Sequence, residues 1–236
     1  MNKTLLKLAV GMFLVSGLNA ANAELLVNPL SKAKMGGMEG SAHFGSSSVD
    51  YEQNGSKGDV DRKFIGATIA YGMSNMMDVY GTLSYTLEAQ AEGFPSDDTG
   101  FILGGGVRAK IPNNSGFDLH GYAQLLLIDE DYGSISFPGG SVSLSGEETS
   151  IMAGVVASKA LDNNITVYGG LELNLLSDLD IKQNDTFFGS ASVSADRDDF
   201  LGFRLGVNFN AGTFLLNVNT ALIHESGIFI SASQPF

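Results

Sequence analysis

The chain has 236 residues, with 13 Lys or Arg against 26 Asp or Glu, a formal net charge of −13, and no cysteine. Such an excess of acid speaks against nucleic acid as a partner, because phosphate binding needs clustered cations, and the missing thiols exclude disulfides and thiolate chemistry. Thirty glycines and only 5 prolines suit a β-rich chain in which backbones approach closely.

In chain order, Lys3 and Lys7 are the only charges among the first 23 residues; the apolar run Leu8–Leu18 follows, then Ala21-Asn22-Ala23. This order predicts a secretory signal peptide over 1–23, cleaved after Ala23. Without Lys3 and Lys7 the remainder keeps 11 basic against 26 acidic residues, a formal charge of −15. It holds no run of about 18 apolar residues, so a helical span is excluded. Residues 24–38 read as a lead and 39–236 as one all-β domain.

Ten alternating strands are predicted, at 39–51, 60–73, 77–89, 99–111, 116–130, 147–160, 165–176, 198–210, 213–224 and 227–235. In 77–89, for example, Val79, Gly81, Leu83, Tyr85 and Leu87 share one face, opposite Tyr80, Thr82, Ser84 and Thr86. Tight links at 74–76, 112–115, 162–164 and 210–212 alternate with longer polar links at about 52–59, 90–98, 131–146 and 177–197. This is the signature of an antiparallel meander of even strand number. Eight strands is the alternative if the first or last hairpin is misread.

A soluble barrel with an apolar interior would show the same alternation. Two features argue for the reverse arrangement, apolar side outward. Tyr71, Phe117, Phe209, Phe214 and Phe236 all fall on the apolar face near the tight links, as a membrane-interface girdle does. The opposite face carries Glu88, Arg108, Lys110, His120, Gln124, Glu172, Arg204, Asn217 and Asn219, too polar for a lipocalin-like cavity.

Together with the terminal strand "GIFISASQPF", these features resemble the bacterial outer-membrane β-barrel proteins. The resemblance implies a transmembrane up-and-down barrel in the outer membrane, with residues 24–38 a periplasmic lead and tight turns facing the periplasm. It also implies that the C-terminal strand ending in Phe236 addresses the chain to the barrel-assembly machinery. Outer-membrane lipid and lipopolysaccharide are the implied surroundings. Most acidic residues then lie at or beyond the outer strand ends, among them Asp97, Asp98, Asp129, Glu130, Asp131, Glu147, Glu148, Asp196, Asp198 and Asp199. The outer rim is expected to be strongly negative.

Ten strands enclose a narrow interior that side chains largely fill. Glu172, Arg204, Arg108 and Glu88 are the candidate lumen charge cluster: either a charged gate lining an ion path, or a neutralised plug. Asp178, Asp180 and Asp185 in "DLDIKQND" offer oxygen donors to calcium, or loosely to divalent cations at the lipopolysaccharide surface. No cofactor is expected. Omptin-like proteases share the strand number and need an Asp-x-His pair at the outer rim, whereas Asp118-Leu119-His120 falls beside a tight turn. His224-Glu225-Ser226 has the residue types of a hydrolase, but neighbours on a strand point to different faces. The sequence therefore points to a non-enzymatic barrel with acidic external loops and a structural or surface-interaction role. A narrow cation-preferring channel is the alternative, and an outer-membrane hydrolase a third reading.

Overall fold

The computed structural model describes residues 27–30, 34–53, 56–91, 100–138, 140–186, 189–197, 200–222 and 225–236. The expected signal peptide, the link 92–99 with Asp97 and Asp98, and Asp198, Asp199 and His224 lie outside the described residues, as do the side chains of Asp196, Glu225 and Ser226. In chain order the strands are β1 (Met38–Gln53), β2 (Ser56–Gly72), β3 (Met77–Ala91), β4 (Gly100–Ile111), β5 (Asp118–Phe137), β6 (Gly140–Ala160), β7 (Ile165–Asp185), β8 (Gly189–Arg197), β9 (Leu201–Ala211), β10 (Phe214–Leu222) and β11 (Glu225–Pro235).

Ten of these close an antiparallel up-and-down ring, β1 to β7 and then β9, β10 and β11, with β11 pairing back onto β1. Closure reaches the last residue: the Phe236 amide donates to the Met38 carbonyl at 2.9 Å. The tight links are held by local side-chain caps. Asp162 Oδ1 accepts from the amides of Asn164 and Ile165 at 2.7 and 2.8 Å. Asn113 Oδ1 accepts from the Ser115 amide at 2.9 Å, and Gly212 takes the left-handed φ of +79° that its turn requires.

Two expectations fail at the other end. The links 131–146 and 177–197 are not polar loops but strand: β5 and β6 run on to Phe137 and Gly140, and β7 returns as β8. There β8 pairs with Asp178–Asp185 of β7 and with Tyr51 and Glu52 of β1, bridging them above the ends of β9, β10 and β11. The interval between β7 and β1 shrinks from four strand spacings to two, from about 19 Å to about 10 Å.

Bulges explain why the alternation read from sequence loses its meaning there. Leu87 in β3, Tyr132 in β5 and Leu175 in β7 each stand without a cross-strand partner. One extra residue sends every later side chain to the opposite face. In β7 the odd residues Leu171, Leu173 and Leu175 face outward, but beyond the bulge Ser177 and Leu179 are buried. In β5 the switch uses Gly133, whose φ of +100° is costly for other residues.

Inside the ring, aromatic rings lie over glycines on the neighbouring strand. Tyr80, Tyr122 and Tyr168 stand directly opposite Gly106, Gly154 and Gly206. A Cβ on Gly206 would sit 2.3 Å from the Tyr168 ring, so the missing side chain is what admits the aromatic. The buried apolar side chains fall into three groups stacked along the barrel. At the tight-turn end Val27 joins Ala70, Val156 and the three tyrosines. Above lie Phe64, Ile102, Leu126, Ile128, Ala221 and Phe229. At the long-hairpin end Val49, Tyr51, Val60, Ala89, Ala91, Tyr132, Leu179 and Ala195 form the third.

Candidate functional site

The interior charges sit among these apolar groups, and each described guanidinium there has carboxylate partners. Glu172 on β7 and Arg204 on β9 are both fully buried, and pair through two hydrogen bonds, Nε to Oε2 at 2.9 Å and Nη2 to Oε1 at 2.8 Å. Arg204 Nη1 also donates to Asn219 Oδ1 at 2.6 Å, and the Tyr122 hydroxyl donates to Glu172. The chain of bonds continues through Asn217 to Asn208 at 2.7 Å and to the Tyr168 hydroxyl at 2.9 Å. Buried ions cost little only when paired and hydrogen-bonded in this way.

The other two members of the expected cluster stand elsewhere. Arg108 belongs to a separate group nearer the tight turns, with its Nε donating to Asp78 at 2.7 Å and its Nη2 to Glu39 at 3.3 Å. Its Nη1 donates at 2.7 Å to the backbone carbonyl of Asn28. Glu88 is a correction: it follows the Leu87 bulge, so it faces outward, and its half-exposed carboxylate pairs with Lys63 at 2.5 Å. It lines no lumen path.

Two features of the interior have no counterpart among the sequence-based expectations. Asn28 is buried and donates to Asn208 at 2.8 Å, so Val27 to Leu30 of the lead occupy the tight-turn mouth. Arg62 forms a third ionic group near the long-hairpin end, its Nε bonded to Glu130 at 3.0 Å and its Nη2 to Glu148 at 3.2 Å. Glu130 and Glu148 are thus corrections to the expected acidic rim, since both point into the barrel. A sequence signal for Arg62 existed: it shares its face with the apolar Val60 and Phe64, which marks a charge flanked by core positions.

The expected calcium donors are also corrected. Asp178 and Asp180 lie on strand β7 rather than in a loop, about 7 Å apart along its outer face, and Asp185 has the opposite parity. Among the described residues no group of three or more His, Asp or Glu side chains converges as a metal site. Asp118 pairs with Lys110 at 2.5 Å, and His120 Nε2 lies 3.2 Å from Ser158 Oγ, both beside the tight turn.

The outer wall between the strand ends is apolar and uncovered: Ile69, Leu83, Leu103, Leu171, Leu205 and Ile230 are each about half exposed. A water-facing surface of that kind would aggregate, whereas hydrocarbon covers it. Tyr71, Phe117, Phe209, Phe214 and Phe236 border this belt at the tight-turn end, with Phe236 73% exposed and Phe209 partly buried.

No protein-family model matches the sequence, and no curated protein matches it. Solved structures do. The outer membrane protease OmpT from Escherichia coli aligns over 89% of this chain and 100% of that one, at 7% identity and a TM-score of 0.55. The translocator domain of autotransporter NalP from Neisseria meningitidis aligns over 85% and 88%, at 13% identity and 0.48. The outer membrane protein OprG from Pseudomonas aeruginosa aligns over 87% and 98%, at 14% identity and 0.43. Identities this low speak for architecture and not for activity. With its closed ring, apolar outer belt and paired interior charges, the chain has the fold of the bacterial outer-membrane β-barrel proteins.

Proposed function

We propose that this protein is a sealed outer-membrane barrel whose working surface is the sheet projecting from its long-hairpin end. The observation that carries the reading is the Glu172–Arg204 pair: both side chains are fully buried and bonded to each other. A gate or ion path needs water or a mobile ion beside such charges, and a paired, dry carboxylate offers none. The Asn28 contacts in the tight-turn mouth and the Arg62–Glu130–Glu148 group above add two further closures. In this reading the negative external surface meets a partner, and no catalytic step is assigned to the chain.

The test is single-channel conductance of refolded protein in a planar bilayer, wild type beside Glu172→Gln and Arg204→Gln. A silent wild type, with the barrel shown folded by its heat-dependent gel shift, is expected. Discrete cation-selective openings in the wild type would make the protein a channel instead.

A further inference from the structure

The methionines of the chain are unevenly placed. Of the 8, Met35, Met38, Met73, Met76 and Met77 stand at one corner of the tight-turn end, where β1 begins and β2 turns into β3. Each is exposed, from 38% at Met77 to 66% at Met35. Elsewhere on the same rim Ile111, Phe117, Leu161, Phe214 and Phe236 serve as exposed apolar side chains, so contact with lipid does not itself call for sulfur. Met152 is different again: it is buried in the barrel, its sulfur accepting from Gln124 at 3.3 Å.

The register brings three of the exposed methionines to one face. Met38 stands directly opposite Tyr71, and Tyr71 opposite Val79. Met73, two residues beyond Tyr71, is then the diagonal neighbour of Met38, about 7–8 Å away. The β2–β3 register, carried one pair past Gly72 and Asp78, sets Met73 against Met77 at about 5 Å. The Ser74 amide closes that hairpin on the Met77 carbonyl at 3.0 Å. Met38, Met73 and Met77 are exposed while their neighbours Glu39, Gly72 and Asp78 are buried, so all three turn outward. Met35 approaches from the lead, bridged to Gly72 beside Met73.

Chemistry decides what such a group takes. A methionine side chain is long, unbranched and flexible, so thioethers spaced in this way can converge on one small ion. Thioether sulfur is uncharged and polarizable and selects soft ions such as Cu(I), whereas hard divalent ions take oxygen. The chain has no cysteine, so these thioethers are its exposed sulfur ligands. We infer that Met38, Met73 and Met77 form a surface site for Cu(I), with Met35 placed to give a fourth sulfur. The site lies at the opposite end from the projecting sheet and does not depend on the sealed-barrel reading.

The test uses the full barrel in nanodiscs of zwitterionic lipid, with methyl-labelled methionine read by NMR. It is titrated with Ag(I) in chloride-free buffer, a redox-inert stand-in for Cu(I). Saturation at one ion per barrel is expected, with the methyl signals of Met38, Met73 and Met77 moving together and that of Met152 fixed. Leucine keeps the apolar volume of methionine, so Met38→Leu, Met73→Leu and Met77→Leu should each retain the heat-dependent gel shift. Each should weaken binding at least about tenfold, the loss that changes outside the ligand set already cause. Cu(I) kept reduced by ascorbate should compete with Ag(I), and a large excess of calcium should not. No saturable binding overturns the inference, as does undiminished binding by the triple leucine variant. Separate, unequal movement of the exposed methionine signals, the mark of adventitious silver contacts, overturns it too, and so does displacement by calcium or failure of Cu(I) to compete. The wild-type methyl signals decide the matter even where a variant does not fold.

Discussion

The wall within the membrane and the sheet projecting above it are parts of the same strands, yet they are built inside out relative to each other. Within the belt, β7 turns Leu171 and Leu173 outward and buries Glu172. Beyond its bulge at Leu175 the strand turns Asp178 and Asp180 outward and buries Leu179. The solvent dictates the difference. Hydrocarbon accepts leucine and rejects carboxylates, and water does the opposite. One inserted residue in each of β3, β5 and β7 lets the apolar residues keep their parity in sequence while changing face at the membrane boundary.

Of the substitutions that would upset this arrangement, the most costly falls in the interior of the belt. Arg204→Ala leaves Glu172 buried without its guanidinium and should cost about 3–5 kcal/mol. Equilibrium unfolding by urea in lipid vesicles measures it, and a loss below 1 kcal/mol would mean that water already reaches Glu172.

The next prediction sets the two regions against each other directly. Leu83→Arg, on an exposed outward position in the belt, should cost about 2–4 kcal/mol. Ser143→Arg, outward on the projecting sheet, should stay within about 0.5 kcal/mol. Equal costs at the two sites would erase the proposed membrane boundary. Smaller again is the effect of Gly206→Ala, where the new Cβ would meet the Tyr168 ring at 2.3 Å. Overpacking of that kind costs about 1–3 kcal/mol, and adding Tyr168→Phe should recover only part of it, because the ring carbon Cζ at 2.3 Å remains once the hydroxyl at 2.4 Å is gone. Among the substitutions that remove a contact, the least effect is expected for Lys63→Met, which takes away a half-exposed partner of Glu88 and should change stability by about 1 kcal/mol or less.

Much of the wall was legible in the sequence because its cause is repeated locally. Alternation, capped tight turns and terminal aromatics each act within a few residues, and the ten ring strands follow from them. What escaped depends on contacts made across the barrel. The face of Glu88 is set by Leu87 finding no partner opposite Lys63 and Phe64, which a single strand does not reveal. The "ASVSA" of β8 alternates small residues too weakly to announce a strand, and it is strand because Asp178–Asp185 of β7 offers a free edge to pair with. Of the candidate site, the Glu172–Arg204 pair was legible from matching depth on neighbouring strands. The roles of Asn28 and Arg62 were not, since their partners across the barrel lie 68 to 180 residues away in sequence.

The exchange of faces along β7 can be read residue by residue with spin labels. The chain has no cysteine, so single cysteines can be placed one at a time from residue 169 to 182, labelled, and read for collision with oxygen and with a water-soluble nickel chelate in lipid vesicles. Oxygen-accessible labels are expected at the odd positions 169, 171, 173 and 175, then nickel-accessible labels at the even positions 178, 180 and 182. An unbroken odd-numbered pattern through the whole range would contradict it.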